Sequence, residues 1–78
     1  MEIKPIIGNR IKQLREKSGM SQKNLAFDSD LDRSYIASVE NGKRNISIVN
    51  ITKIAIALKV SIKEFFNDEE FNHTPGRD

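Results

Sequence analysis

The most constraining feature of this chain is a pair of short apolar patterns separated by only a few residues, between positions 20 and 40. Leu25 and Ala26 belong to the first pattern, and Ile36 and Val39 belong to the second. These four side chains can meet only if a tight turn connects the two segments. The sequence therefore predicts two short helices packed at an angle and joined by residues 29–31.

The residues of this turn suit that geometry. Asp30 stands where such a turn often needs a left-handed backbone, which Asp tolerates better than most residues other than Gly. Leu31 is expected to fill the angle between the helices. Asp32 is predicted to cap the second helix by accepting a hydrogen bond from the N–H of Ser34 or Tyr35.

The second helix is predicted to present a small polar face away from the core. Placing the core side midway between Ile36 and Val39 and advancing about 100° per residue gives an outward set of short side chains beside one long cation. The set is Ser34, Ala37, Ser38 and Asn41, flanked by Arg33. Short side chains let a helix enter a groove, and Arg to guanine is the commonest specific base contact. The set predicts a helix that reads the DNA major groove, although each residue taken singly also fits a solvated face.

Residues on either side of the helix pair are suited to the DNA backbone. Ser21 is predicted to cap the first helix, so that the Gln22 amide lies in the first turn and can reach a phosphate. After the second helix, Gly42 is expected to end it, and Lys43 and Arg44 are free to lie along the sugar-phosphate strand. An ordinary surface glutamine and a solvated pair of cations are the alternatives.

Charge and composition favour a nucleic-acid-binding domain over an enzyme. Residues 1–63 carry 12 Lys and Arg against 6 Asp and Glu, whereas residues 64–78 carry 1 against 5. A basic body with an acidic tail fits a ligand that is a polyanion, although basic domains are common. His73 is the only histidine, no metal-ligand spacing or phosphate loop is present, and no cofactor is expected.

The length predicts one domain, residues 1–66, followed by an acidic tail, residues 67–78, that is expected to be disordered. The chain has no Cys, which fits the reducing cytoplasm. Its longest apolar run, residues 54–58, is too short to span a membrane, and the N-terminus does not resemble a signal peptide. We therefore expect a cytoplasmic protein.

Three further helices are predicted around the helix pair. The first carries Pro5 in its opening turn and a stripe of Ile7, Ile11 and Leu14, and ends near Lys17 before Gly19. A fourth is capped by Ser47 and has a core stripe of Ile51, Ile54, Ala55 and Leu58. A short fifth helix begins with a capping box formed by Ser61 and Glu64.

Apolar residues outside the core stripes predict a homodimer. Val49 and Ile56 lie off the stripe of the fourth helix, and adjacent Phe65 and Phe66 cannot both enter one small core. A domain of this size buries little surface alone, so a partner chain would stabilise it. The predicted interface consists of Val49, Ile56 and one of Phe65 and Phe66.

Together these segments resemble the phage-repressor type of helix-turn-helix proteins, also called the xenobiotic-response-element family. The resemblance covers residues 7–66 and rests on residues 11–15, 20–26, 32–45 and 54–58. Within that family, the short length and residues 31–36 look most like controller proteins of restriction–modification systems. The chain departs from the family pattern at Asn24, where an acid is usual, and at Asp30 and Ile46, where Gly and Pro are frequent.

The resemblance implies an all-α, five-helix homodimer that binds a palindromic operator and regulates its own gene and a neighbouring endonuclease gene. It also implies DNA-reading positions at Arg33, Ser34 and Tyr35 and backbone contacts at Gln22, Asn41, Lys43, Arg44 and Asn45. Some activators of this family touch RNA polymerase with acids near the second helix, where Asp28 and Asp30 lie; turn formation is their alternative role.

Two other functions fit the same residues. An antitoxin would have the same DNA-binding body but would hold a toxin in a stable complex. A protein-interaction module without DNA binding would bind its partner with little dependence on salt, unlike a phosphate-binding protein. RNA binding is less well supported, because Tyr35 is the only tyrosine and an exposed aromatic platform is missing.

Overall fold

The computed structural model describes residues 2–72, and every regular element in that stretch is helical. The five α-helices are α1 (Ile3–Lys17), α2 (Gln22–Ser29), α3 (Arg33–Glu40), α4 (Ile48–Leu58) and α5 (Ile62–Phe65). A short 3-10 helix, Glu69–Asn72, follows α5. The predicted all-α, five-helix architecture is confirmed. Within the described stretch no helix has the length and apolarity to cross a bilayer.

Local sequence signals determine where the helices begin and end. Ser21, Ser47 and Ser61 each occupy the N-cap of a helix, and each hydroxyl oxygen accepts a hydrogen bond from the backbone N–H three residues later. Such caps satisfy N–H groups that have no partner inside the helix. Gly19, with φ at 72°, follows the end of α1 as predicted.

Two predicted caps differ from the structure. Asp32 occupies the N-cap position of α3, but its side chain accepts no hydrogen bond from the helix. At α5, Ser61 accepts from the backbone of Glu64, but the Glu64 carboxylate does not return to Ser61. That carboxylate lies 3.6 Å from the Arg10 guanidinium instead.

The core lies where α1 to α5 converge. Its members are Ile11, Leu14, Leu25, Ala26, Ile36, Val39, Ile51, Ile54, Ala55, Leu58 and Phe65. The stripes predicted for α3 and α4 are therefore the buried ones, and Leu31 packs against this cluster as expected. The core is small, as a domain of this length requires.

Helix α1 approaches the C-terminal end of α3 very closely at Gly8. A Cβ atom on Gly8 would lie 2.3 Å from the carbonyl oxygen of Val39 and 2.8 Å from that of Glu40. Because both neighbours are backbone atoms, they cannot move aside as a flexible side chain would. Gly8 therefore permits a helix contact that places the end of α3 directly against α1.

The structure distinguishes the two adjacent phenylalanines. Phe65 is 0% exposed and belongs to the core of the single chain, so it is not available for the predicted dimer interface. Phe66 is half-buried, and its ring packs edge-on against Phe71 with centroids 5.0 Å apart.

The described part of the predicted tail, residues 68–72, contains a short helical turn. Phe71 belongs to the 3-10 helix, and Asp68 lies 3.6 Å from Arg10. The aromatic contact and the ion pair bring Phe71 and Asp68 against the domain, and the predicted domain boundary at residue 66 stays a prediction. The rest of the tail, including His73, Pro75 and Gly76, lies outside the described residues.

Candidate nucleic-acid interface

Helices α2 and α3 are joined by the predicted tight turn. Asp30 follows α2 in the left-handed conformation, with φ at 58°, and the Leu31 N–H returns to the carbonyl of Ala26 at 2.9 Å. The Ser29 hydroxyl donates to the carbonyl of Leu25 at 2.6 Å. These bonds satisfy the end of α2 and direct the chain into α3, which forms a helix-turn-helix.

A buried ion pair fixes the orientation of α3. Arg15 on α1 donates from Nε to Glu40 Oε2 at 2.7 Å and from a terminal nitrogen to Oε1 at 3.0 Å. A third donor reaches the carbonyl of Met20 at 2.8 Å. The hydrogen bond with Glu40 raises the pKa of Arg15, so the guanidinium stays charged. Two parallel bonds to one carboxylate restrict both distance and angle.

The same carboxylate also holds Gln22. The amide Nε2 of Gln22 donates to Glu40 Oε1 at 3.1 Å, across the helix pair from α2 to α3. Gln22 is half-buried, and this bond fixes the position of its amide. Its contact with a phosphate stays a prediction, and the amide would make it from a fixed position at the start of α2.

The residues predicted to read bases lie along α3 with graded exposure. Arg33 and Ser34 are exposed in its first turn, whereas Ala37 and Ser38 are half-buried further along. Tyr35 is half-buried as well. The long cation and the short hydroxyl therefore protrude at the N-terminal end of α3, which is the end that helix-turn-helix proteins direct at base edges.

Tyr35 links α3 to α4 and to the following loop. Its hydroxyl oxygen accepts a hydrogen bond from Asn50 Nδ2 at 3.0 Å. The Arg44 guanidinium carbon lies 4.9 Å from the centre of its ring, a cation–π contact. Tyr35 and Arg44 share an open groove of about 700 Å³ with Ser34 and the turn residues before α3.

The loop after α3 carries the predicted backbone-contacting residues on its surface. Asn41, Lys43, Arg44 and Asn45 are all exposed. Gly42, with φ at 72°, allows the turn, and a Cβ atom there would lie 3.0 to 3.2 Å from Pro5. The loop therefore rests on the start of α1, and its Arg44 lies beside Ser34 and Tyr35 of α3.

Sequence reasoning missed three residues that build this site. Arg15 and Glu40 each stand four residues after a core isoleucine, and a charged residue on the core side of a helix is the signal that would have found them. Asn50 carried no such signal, because the approach of α4 to Tyr35 depends on the path of the loop.

A second surface of the molecule is apolar. Ile48, Val49 and Ile56 on α4 are 65%, 61% and 71% exposed, respectively. Val49 and Ile56 are the off-stripe residues that the sequence assigned to a dimer, and Ile48 adds to them. Exposed aliphatic residues of this size on a small domain often mark a protein interface.

Comparison with known proteins gives a consistent family. A family model described as Helix-turn-helix matches residues 11–65. Control protein C.MunI from a Mycoplasma species is 49% identical to the chain over 70 residues, which cover 88% of the chain and 95% of that protein.

Solved structures of similar fold belong to the same class of protein. The restriction-modification controller protein C.AhdI from Aeromonas hydrophila is 52% identical, with a TM-score of 0.74, over 77% of this chain and 91% of that one. The restriction-modification controller protein C.Esp1396I, solved as a tetramer in complex with its natural 35 base-pair operator, is 35% identical, with a TM-score of 0.79, over 92% of this chain and 91% of that one.

Proposed function

The chain belongs to the helix-turn-helix family and, within it, to the restriction-modification controller proteins, and we propose that it regulates transcription by binding a specific DNA operator through α3. The observation that carries this proposal is the exposed, polar first turn of α3, whose Ser34 lines one open groove with Arg44 of the following loop. We assign the chain binding rather than catalysis and place it in the cytoplasm, with the DNA.

The interface separates into residues that read and residues that position. Arg33 and Ser34, followed by Ala37 and Ser38, enter the major groove and contact base edges. Positioning contacts to the sugar-phosphate strand come from Gln22 and from the loop residues Asn41, Lys43, Arg44 and Asn45. The Arg15–Glu40 pair supports this division, because it holds the reading helix and Gln22 in one rigid unit.

We place a second copy of the chain on the apolar surface of α4. The exposure of Val49 and Ile56, with half-buried Phe66, supports a two-fold interface in which both copies use the same patch. Such a dimer holds two reading helices at a fixed separation, so the operator is a near-palindrome with half-sites about one helical turn apart. The regulated genes are its own and a neighbouring endonuclease gene.

Selection from a pool of random DNA duplexes tests the operator. The wild-type chain is expected to recover duplexes with a symmetric motif, and single-stranded pools of equal complexity serve as the control. Recovery of only asymmetric or single-stranded ligands would refute sequence-specific duplex binding.

Analytical ultracentrifugation tests the dimer. Ile56→Ser and Phe66→Ser should raise the dimer dissociation constant by roughly one to two orders of magnitude, because each removes part of about 1.5–3 kcal/mol of apolar burial. The exposed polar residue Thr52 on α4 provides the control Thr52→Ser. A wild-type chain that stays monomeric and binds DNA without cooperativity would exclude the dimer.

The surface of α2 supports a contact with RNA polymerase. Asp28 is exposed beside Phe27, which is 86% exposed, so α2 offers a carboxylate and an aromatic ring together to a protein partner. Asp28→Asn should reduce transcription activation without changing operator affinity. Equal loss of both activities, or of neither, would leave Asp28 with a structural role only.

A further inference from the structure

Asn50 joins the reading helix to α4 through the only tyrosine of the chain. Its Nδ2 donates to the Tyr35 hydroxyl oxygen at 3.0 Å, across 15 residues of sequence. The backbone of Asn50 is itself fixed, because its N–H donates to the Ser47 cap of α4 at 3.1 Å. Asn50 is half-buried, and its bond to Tyr35 is therefore partly shielded from solvent.

The direction of this hydrogen bond decides what the hydroxyl can do next. An amide nitrogen only donates, so the Tyr35 oxygen must accept, and its own proton remains free to donate elsewhere. Among the hydrogen bonds of residues 2–72, the Tyr35 hydroxyl donates to no other group. A hydroxyl that both accepts and donates binds an anionic oxygen strongly, since the bond is charge-assisted.

Arg44 brings a positive charge to the same ring. Its guanidinium lies 4.9 Å from the Tyr35 ring centre, and its side chain is exposed on the loop that follows α3. Tyr35 and Arg44 both line the open groove beside Ser34, so a hydroxyl and a guanidinium border one space that is open to a phosphate oxygen. DNA presents such oxygens next to a helix that enters the major groove.

Resting on the proposed DNA binding, we propose that Asn50 is a positioning residue that orients the Tyr35 hydroxyl, so that Tyr35 and Arg44 together bind the phosphate backbone of the operator. Sequence analysis placed Tyr35 among the base-reading residues; its contacts assign it to the backbone. Asn50 does not touch DNA and acts through the proton of Tyr35.

Asn50→Asp tests whether the direction of the Tyr35 hydroxyl proton matters for DNA binding. The two side chains have the same shape, but a carboxylate accepts and therefore takes the Tyr35 proton, which turns it away from DNA. Loss of one hydrogen bond to a charged group corresponds to a loss of affinity of roughly 10- to 100-fold. Affinity is measured on a duplex that the wild-type chain selects from a random pool, and urea unfolding of each variant checks that it is folded.

The variant Tyr35→Phe distinguishes the effect of redirecting the Tyr35 hydroxyl proton from the effect of the negative charge that Asn50→Asp adds. In a Tyr35→Phe background no hydroxyl remains, so Asn50→Asp should cost little beyond the repulsion of one carboxylate. Asn50→Asp should therefore lose much more affinity in the wild-type background than in the Phe background. Equal losses in the two backgrounds would overturn the inference.

Two further readouts distinguish positioning from general damage. Tyr35→Phe and Asn50→Ala should leave base preference and the salt dependence of binding unchanged, because neither removes a charge. Arg44→Ala should reduce the salt slope by about one unit. A changed base preference in Tyr35→Phe would overturn the backbone assignment. A wild-type chain that selected no duplex would overturn the proposed function, and this inference with it.

Discussion

Two buried arginines on α1 hold the two ends of the molecule by different means. Arg15 binds a carboxylate, Glu40, which is itself buried at the end of α3. Arg10, five residues earlier on another side of the helix, donates at 2.7 Å to the backbone carbonyls of Phe65 and Glu64 at the end of α5. One end therefore depends on a pair of charges, and the other on neutral carbonyls.

The difference follows from what each end does. The reading helix must keep a defined angle, and a bidentate pair of guanidinium and carboxylate fixes an angle as well as a distance. Helix α5 has a single turn, so its last carbonyls lack partners within the helix. Arg10 donates to those of Phe65 and Glu64, and the Glu64 carbonyl also accepts from the Asn67 N–H at 3.1 Å. Nearby acids, Glu64 and Asp68, lie 3.6 Å from Arg10 and are more exposed, so they add less.

The largest effect is expected at the charged anchor. Glu40→Ala leaves Arg15 buried without its carboxylate, and the free energy of unfolding should fall by about 3–5 kcal/mol, measured by urea unfolding. Glu16 is an exposed acid on α1, the helix that carries Arg15, and Glu16→Ala is the control. It should change the free energy of unfolding by less than about 0.5 kcal/mol.

A double variant sharpens this result. Replacing both partners, Arg15→Leu with Glu40→Leu, should lose less stability than Glu40→Ala alone, because no uncompensated charge remains. If the double variant instead lost the sum of the single losses, the two residues would act independently and the ion pair would not be the anchor.

A smaller effect is expected at the neutral anchor. Arg10→Ala removes hydrogen bonds from a charged donor to the end of α5, and the expected loss is about 1.5–3 kcal/mol. Hydrogen exchange should show the loss concentrated in α5 and residues 68–72, whereas Glu40→Ala should affect α3. Arg10→Lys keeps the charge but not the planar set of N–H donors, so it should retain only part of the stability that Arg10→Ala loses. Equal exchange changes in α3 would contradict separate anchoring.

Within the DNA-binding end, variants of base-reading residues and variants of backbone-contacting residues should have different effects on DNA binding. Arg33→Ala should lose roughly 1–3 kcal/mol on the preferred operator and reduce discrimination at one base pair per half-site. Lys43→Ala should weaken binding to all sequences alike and lower the salt slope by about one unit. Titrations at several salt concentrations on specific and scrambled duplexes measure both. If Lys43→Ala altered base preference and Arg33→Ala did not, the two roles would be reversed.

The smallest effects are expected at the two left-handed residues other than glycine, each of which ends a helix. Asp30 ends α2 with φ at 58°, and Lys59 ends α4 with φ at 62°. A left-handed residue with a Cβ atom costs roughly 1–2 kcal/mol of stability, and replacement by Gly removes this cost. Only part of it is gained in stability, because Gly also gives the unfolded chain conformational freedom worth about 0.4–1 kcal/mol. Thermal unfolding of Lys59→Gly should show a small gain in stability.

Asp30→Gly should gain less than Lys59→Gly, since Asp tolerates this conformation better than Lys does. Lys53→Gly, in the middle of α4, is the opposing control and should cost about 1 kcal/mol. A loss of stability in Lys59→Gly would mean that the Lys side chain contributes more to α4 than its conformation costs.

Much of the fold and part of the site could be predicted because their causes are local. The caps at Ser21 and Ser47, the left-handed Asp30 and the core stripe of α4 all depend on neighbours within a few residues. The predicted hydrogen bond from the α3 backbone to the Asp32 side chain is wrong, although Asp32 does occupy the N-cap position. The sequence indicates which residue stands at an N-cap but not whether its side chain turns toward the helix.

The sequence alone determined the helices, their ends, the tight turn and the basic character of the body, because each depends on backbone preferences and on periodicity along the chain. The tertiary structure decided which phenylalanine is buried, where α1 crosses α3 at Gly8, and which partners Arg10, Arg15 and Tyr35 receive. These contacts join residues 15 to 55 positions apart, and only the packing of whole helices brings such residues together.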